Sequence, residues 1–200
     1  MATAHHVPTT FADLLWPAHG ASRPLRLLLL ALLGSALLTI SAKIEVPFYP
    51  VPMTMQTLVV LLLGMAYGAR LGATTVLLYL AEGAIGLPVF AGTPERGIGI
   101  AYMMGPTGGY LVGFVLSAAI TGWLVERRRD WPALLLAVTA GTVVVFIPGV
   151  LWLAHLIGFE QSIVHGLTPF LWGAVLKGAI AMALGMAGAA MIRKRLQDQP

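Results

Sequence analysis

The 200-residue sequence contains no cysteine, and charged side chains make up only 10% of it. The absence of cysteine excludes disulfide bonds, thiolate nucleophiles, sulfur-ligated zinc and iron–sulfur clusters. Only eight residues are acidic, whereas apolar side chains reach 58% and the mean hydropathy is +0.86. A soluble globular domain is less apolar than this. We therefore expect an integral membrane protein without a large soluble domain.

Apolar runs bounded by charges or by proline and glycine clusters predict an all-α protein with six transmembrane helices. These runs cover residues 25–42, 54–69, 71–87, 108–125, 133–153 and 169–192. Residues 25–192 would then be the membrane domain. We expect residues 1–24 to be a cytoplasmic segment able to carry a short interfacial helix, and residues 193–200 to be a basic cytoplasmic tail.

The distribution of positive charge predicts the orientation of these helices. With six spans and an inner N-terminus, nine lysines and arginines fall on the inner side and two, Lys43 and Arg96, on the outer side. Such a bias places the basic loops and both termini in the cytoplasm. The formal net charge of +4 therefore reflects topology rather than binding to nucleic acid.

Two opposite charges fall inside predicted spans. Glu82 lies about 18 Å along the third helix, counted from Arg70, and Lys177 lies at a similar depth in the sixth. We expect Glu82 and Lys177 to be able to meet, because an isolated charge at a helix centre costs about 2.5–3.5 kcal/mol. A structural ion pair and a polar binding or conducting cavity are both compatible with this placement.

The two longer outer segments are too apolar to serve only as solvent-exposed connections between helices. Residues 86–110 carry Phe90, Arg96 and Tyr102 and could fold back as a lid over a pocket. The planar guanidinium group of Arg96 could donate two parallel hydrogen bonds to an anion. Residues 46–56 carry Tyr49 and Gln56 and are held extended by three prolines. The alternative is an interfacial loop whose Arg96 meets lipid headgroups.

Several common catalytic and phosphate-binding motifs are missing from the sequence. It contains no G-x-x-x-x-G-K-[ST], no G-x-G-x-x-G and no H-E-x-x-H, and His155 and His165 lack a suitable carboxylate or nucleophile nearby. We therefore expect no enzyme, no metal site and no cofactor.

Two segments carry a resemblance to a known family. Residues 86–92 read Gly-Leu-Pro-Val-Phe-Ala-Gly, and residues 105–114 read Gly-Pro-Thr-Gly-Gly-Tyr-Leu-Val-Gly-Phe. Together with Pro-Val-Pro-Met-Thr-Met-Gln-Thr at 50–57, they resemble BioY, the biotin-binding S-component of energy-coupling-factor (ECF) vitamin transporters. The resemblance covers about residues 25–185 and implies the six-helix S-component fold in a bacterial cytoplasmic (inner) membrane.

The resemblance also implies residue roles. Arg96 and Lys177 match family positions near the ligand, whereas Glu82 stands where an asparagine is expected and Ala174 where an aspartate is usual. One hypothesis is that Glu82 replaces the missing acid beside Lys177. For biotin we favour Arg96 at the carboxylate and Glu82, Lys177 and Gln56 near the ureido end, although the sequence leaves open which cation holds the acid. Apolar surfaces would come from Tyr49, Phe90 and Tyr102.

The implied partners are biotin, membrane lipids, a transmembrane T-component and ABC-type ATPase subunits. Residues 31–35 (Ala-Leu-Leu-Gly-Ser) resemble the small-residue docking motif for the T-component, through Ala31 and Ser35. Small-residue stripes alone more often pack inside the protein, as we expect for Gly109, Gly113 and Ser117. Three other functions stay open: an S-component for another vitamin, a small membrane transferase using Glu82 and His155, and a passive channel.

Overall fold

The computed structural model describes Ala12 and residues 23–197, except for the side chains at positions 195 and 196. The chain is all-α, as expected. The helices are α1 Arg23–Lys43, α2 Gln56–Ala84, α3 Gly99–Met103, α4 Gly108–Arg127, α5 Trp131–Ile157, α6 Phe159–Gly166 and α7 Leu171–Gln197. A 3₁₀ turn covers Thr168–Phe170, and strands β1 (Glu45–Val46) and β2 (Met53–Thr54) pair antiparallel. The expected interfacial helix within residues 1–24 lies outside the described residues, apart from Ala12.

Helix α2 contains a sharp reversal at Gly68. This glycine has φ 80° and ψ 177°, a left-handed conformation that glycine adopts at little cost. The two halves of α2 then run back along each other. A Cβ atom at Gly72 would lie 3.3 Å from Cα of Gly64, so the absence of side chains at both positions permits the close approach. The reversal also brings Gln56 into hydrogen-bond contact with Tyr79.

Helix α4 occupies the centre of the bundle and packs against α2 and α5 through small residues. Gly109, Gly113 and Ser117 are buried, and a Cβ atom at Gly113 would lie 2.7 Å from the Val145 carbonyl oxygen of α5. Backbones can approach this closely only where one partner lacks a side chain. The internal-packing prediction for this stripe is therefore confirmed.

The bundle has two distinct ends. The loop end carries residues 44–55, 85–107 and 158–170, which side chains tie together across the elements. Trp152 Nε1 donates to Gly105 O at 2.9 Å, and Tyr110 Oη donates to Gly166 O at 2.7 Å. The basic end carries the Gly68 turn, residues 128–130 and the C-terminal part of α7, and there Ala69 N donates to Glu126 Oε1 at 3.1 Å.

The observed helices agree with most predicted runs. Five helices among the described residues are long and apolar enough to cross a membrane, and one of them is the reversed α2. Helix α7 continues to Gln197, beyond the predicted end at residue 192. Helix α5 continues past Pro148 without ending there. Helices α3 and α6 and the β-hairpin were not predicted, because each is too short to give a reliable hydrophobic period.

Candidate functional site

A cavity lies inside the loop end, enclosed by α2, α4, α5, α7 and the outer loops. Its volume is about 50 Å³. The polar side chains around it are Thr54, Gln56, Thr57, Thr107, Tyr110, Thr142 and Lys177, and the other lining residues are Val51, Pro52, Leu61, Ala91, Phe114, Val145, Phe146, Phe170 and Ala174. The lining therefore contains one cation and no acidic side chain among the described residues.

Lys177 is the charged group of this cavity. Its side chain is 7% exposed, and Nζ donates to the Thr54 carbonyl oxygen at 3.0 Å. An ammonium group has three donors, so this bond leaves capacity for an acceptor in the cavity. In the part of the chain that the structure describes, Lys177 has no carboxylate within salt-bridge distance. A buried cation of this kind favours an anionic partner.

Gln56 lies in the cavity wall and belongs to a chain of two hydrogen bonds. Its Nε2 donates to Tyr79 Oη at 2.8 Å, and Tyr79 Oη donates to Val89 O at 3.1 Å. This chain fixes the amide orientation of Gln56. The neighbouring Thr57 hydroxyl is buried at the cavity and finds no hydrogen-bond partner among the described residues. Buried polar atoms are normally paired, so Thr57 marks a position where a ligand or water would bond.

Phe90 and Tyr102 do not line the cavity but pack against each other next to it. Phe90 is 1% exposed and stacks on Tyr102 with ring centroids 4.8 Å apart, while Tyr79 meets Phe90 edge-on at 5.4 Å. Burial raises the pKa of the Tyr102 hydroxyl above its ordinary value. The contact of these two aromatics with a ligand therefore stays a prediction, since neither ring lines the cavity in this structure.

Arg96 and Tyr49 lie outside the cavity. Arg96 is exposed, and its Nη2 donates to Phe48 O at 3.1 Å while Nη1 is 3.5 Å from Pro50 O. Arg96 thus ties the 85–98 loop to the 47–52 loop, which covers the cavity. Tyr49, on the same covering loop, is 86% exposed. Neither side chain lines the cavity, so the predicted contact of Arg96 and Tyr49 with a ligand stays a prediction.

Glu82 is separate from Lys177. Its Oε2 accepts a hydrogen bond from Ser35 Oγ of α1, and Glu82 is not a lining residue of the cavity. The predicted meeting of Glu82 and Lys177 is therefore wrong in this conformation. The hypothesis that Glu82 replaces an acid at position 174 loses its geometric support, although Ala174 itself does line the cavity.

Ala31 and Ser35 face into the protein. They are 6% and 1% exposed, and next to them Gly34 packs against Thr75 of α2. The outward surface of α1 carries leucines such as Leu29 and Leu33 instead. Docking of a partner on Ala31 and Ser35 would require the opposite orientation, so the internal-packing alternative fits them better.

Several lining residues were not predicted. Tyr110, Thr142, Phe146 and Phe170 belong to α4, α5 and the 3₁₀ turn, where the sequence shows only apolar runs. Tyr110 and Thr107 could have been suspected from the sequence, because they lie within the 105–114 motif. Nothing in the residue spacing, however, showed that this motif faces a cavity. The described residues contain no cluster of three His, Asp or Glu that could hold a metal ion.

Comparisons with known proteins give a consistent result. The family model described as the BioY family matches residues 13–194. The probable biotin transporter BioY of Pyrococcus horikoshii is 36% identical over 149 residues, which is 74% of this chain and 87% of that protein. The biotin transporter BioY of Thermotoga maritima is 34% identical, over 81% of this chain and 95% of its own length.

A solved structure shows a similar fold. It is a crystal structure of the S-component for biotin from an ECF-type ABC transporter, with a TM-score of 0.69 and 24% sequence identity. The similarity covers 92% of this chain and 96% of that one. At this identity, the similarity establishes the fold and leaves the ligand to other arguments.

Proposed function

Because the chain belongs to the BioY family, we propose that it is the biotin-binding membrane subunit of an ECF-type transporter. In this role it takes biotin from outside and releases it to the cytoplasm. The observation that carries the proposal is the cavity whose lining has one buried cation, Lys177, and no acid among the described residues. Such a cavity suits a monoanion with an apolar body.

Biotin matches this lining group by group. Its carboxylate would accept a hydrogen bond from Lys177 Nζ, and its thioether ring and valerate chain would pack on Phe114, Phe146 and Phe170. Its ureido group needs both donors and acceptors. Gln56 and the unpaired hydroxyl of Thr57 supply these. This assignment moves the carboxylate from Arg96, favoured on sequence, to Lys177, because Lys177 is the cation at the cavity.

The cavity must open to admit the vitamin. About 50 Å³ holds only about three or four water molecules, which is too little space for a bicyclic ligand. The 47–52 and 85–98 loops contribute Val51, Pro52 and Ala91 to the wall and are joined through Arg96. We propose that these loops move apart when biotin enters and that Arg96 closes them again over the bound ligand.

The charges at the two ends of the bundle support a placement in the membrane. We propose six spans, counting the two halves of α2 separately, with both termini in the cytoplasm and the loop end outside. Arg70, Arg127, Arg128, Arg193 and Lys194 lie at the basic end, whereas Lys43 and Arg96 lie at the loop end, in agreement with the positive-inside rule. Residues 1–24 and 193–200 would then be cytoplasmic, in a bacterial inner membrane.

Uptake against a gradient needs energy from partners. The sequence has no phosphate-binding loop motif, so ATP hydrolysis would come from ABC-type ATPases acting through a T-component. We place no T-component contact on Ala31 or Ser35, since both are buried. The proposed function is transport rather than catalysis.

Equilibrium binding of labelled biotin to the purified full chain tests this function. We expect saturable binding, displaced by unlabelled biotin and not by riboflavin, thiamine or folate. Displacement by another vitamin at lower concentration than biotin would indicate a different S-component. Ion conductance in lipid bilayers without saturable binding would indicate a channel and refute the proposal.

A further inference from the structure

The basic end carries a cleft that the binding of a vitamin at the loop end does not use. The cleft has a volume of about 430 Å³ and lies between the start of α5 and the end of α7. Its lining includes three cations, Arg129, Arg193 and Lys194, together with the exposed indole of Trp131. Tryptophan is common where a protein meets the headgroup region of a membrane.

An apolar groove continues from this cleft along the outside of the bundle. The groove has a volume of about 320 Å³ and shares Arg129, Leu134 and Ala189 with the cleft. Small residues of α7, among them Ala187, form its floor, and Leu62 and Leu184 are among its larger lining residues. The cationic cleft and the apolar groove are therefore continuous with each other.

Among the described lining residues, the cleft carries more basic than acidic side chains. Asp130 is its one acidic side chain among the described lining residues, and both carboxylate oxygens accept hydrogen bonds from Arg128, at 3.2 and 2.7 Å. Arg193 and Lys194 therefore face no acidic side chain among the described lining residues other than the already paired Asp130. Basic pockets between transmembrane helices on the cytoplasmic side are suited to anionic headgroups.

We propose that this surface binds one anionic phospholipid of the cytoplasmic leaflet. Its phosphate lies beside Arg193 and Lys194, and one acyl chain lies in the groove past Ala187. The match of a cationic cleft to a phosphate, and of the adjoining groove to a hydrocarbon chain, selects a lipid over a soluble anion. This inference depends on the membrane placement proposed above but not on the identity of the vitamin.

Native mass spectrometry of the purified full chain tests the site with two probes, phosphatidylglycerol and phosphatidylcholine of the same acyl chains. We expect preferential retention of phosphatidylglycerol. The double variant R193Q/K194Q should lose that preference by about tenfold. The matched control R70Q/R127Q removes two exposed arginines of the same end, outside the cleft, and should keep it.

A second pair of variants tests the groove. Ala187→Phe fills it from an exposed position and should reduce retention of both lipids, whereas Ala183→Phe, exposed on the same helix but outside the groove, should not. Biotin binding reports that each variant is folded. Equal retention of the two lipids by the unmodified chain, or equal losses in the two charge variants, would overturn the proposal. A change in oligomer mass with Ala187→Phe, without loss of lipid, would assign the groove to a second copy and also overturn it.

Discussion

At the loop end of the bundle Lys43 and Arg96 donate to backbone carbonyls of neighbouring loops, whereas at the basic end Arg128 pairs with the exposed carboxylate of Asp130. Lys43 Nζ also meets Thr93 Oγ1 at 2.9 Å. The loop-end cations therefore hold irregular segments together. The Arg128–Asp130 pair lies at the surface, where ion pairs contribute little to stability.

This difference separates three uses of positive charge in one small protein. In the membrane placement proposed above, surface cations set the orientation. Cations bonded to carbonyls hold loops together, and a buried cation beside a cavity can bond to a ligand. Only Lys177 meets the third description among the described cations, because it is both buried and part of the cavity wall. Charge type alone, without burial, does not distinguish Arg96 from Lys177.

The largest expected effect is on the packing that supports the loop end. A Cβ atom at Gly109 would collide with the Pro148 carbonyl and with Trp152. Gly109→Ala should lower the free energy of unfolding by about 3 kcal/mol or more, because backbone atoms cannot move aside cheaply. Gly178→Ala is the control, since its new methyl would lie 3.3 Å from a side-chain carbon of Val138, which can adjust. Thermal unfolding in detergent measures both variants, and equal melting temperatures would contradict the packing argument.

The next effect concerns the ligand itself. Lys177→Gln should weaken biotin binding about 10- to 100-fold, the range expected for loss of a hydrogen bond to a charged group. Lys194→Gln removes the same charge from the basic end of the same helix and should leave the affinity unchanged. Isothermal titration or filter binding measures both. Unaltered biotin affinity in Lys177→Gln would exclude Lys177 from the binding site.

A smaller effect on biotin binding is expected when the contact between the two covering loops through Arg96 is removed. Arg96→Ala removes the bonds to Phe48 O and Pro50 O and should weaken biotin binding by about three- to tenfold, through less complete closure. Arg127→Ala, an exposed arginine of the basic end, is the control. The loss should be mainly a faster dissociation rate, measurable by chasing labelled biotin. Unchanged dissociation in Arg96→Ala would argue against the closure role.

The smallest effect is expected for Glu82→Gln. Its amide oxygen can still accept from Ser35 Oγ, and the side chain does not line the cavity. Biotin affinity should change by about twofold or less. A loss comparable to that of Lys177→Gln would restore the idea that Glu82 acts as the acid of the ligand site.

The sequence predicted the parts of the fold that rest on long apolar runs. The length of the apolar runs located the principal helices, and the break between the runs 54–69 and 71–87 lies within two residues of the reversal at Gly68. Gln56 and Lys177 were predicted as site residues because a polar group inside an apolar helix needs a partner, and both line the cavity. These arguments depend on position along one helix, which the sequence provides directly.

The remaining site residues depend on how helices are rotated and how loops fold. Glu82 and Lys177 were matched by depth, but the structure turns Glu82 toward α1 and Lys177 toward Thr54. Depth along a helix says nothing about which neighbour a side chain faces. Phe90 lies in a loop and Tyr102 in the short helix α3, and neither segment has a hydrophobic period, so the stacking of the two rings could not be anticipated.

The most direct test of the central claim compares biotin with its uncharged amide in three proteins: the unmodified chain, Lys177→Gln and Arg96→Ala. If Lys177 holds the carboxylate, the preference for biotin over the amide should fall at least tenfold in Lys177→Gln and persist in Arg96→Ala. A preference that persists in Lys177→Gln and disappears in Arg96→Ala would contradict the account and return the carboxylate to the entrance of the site.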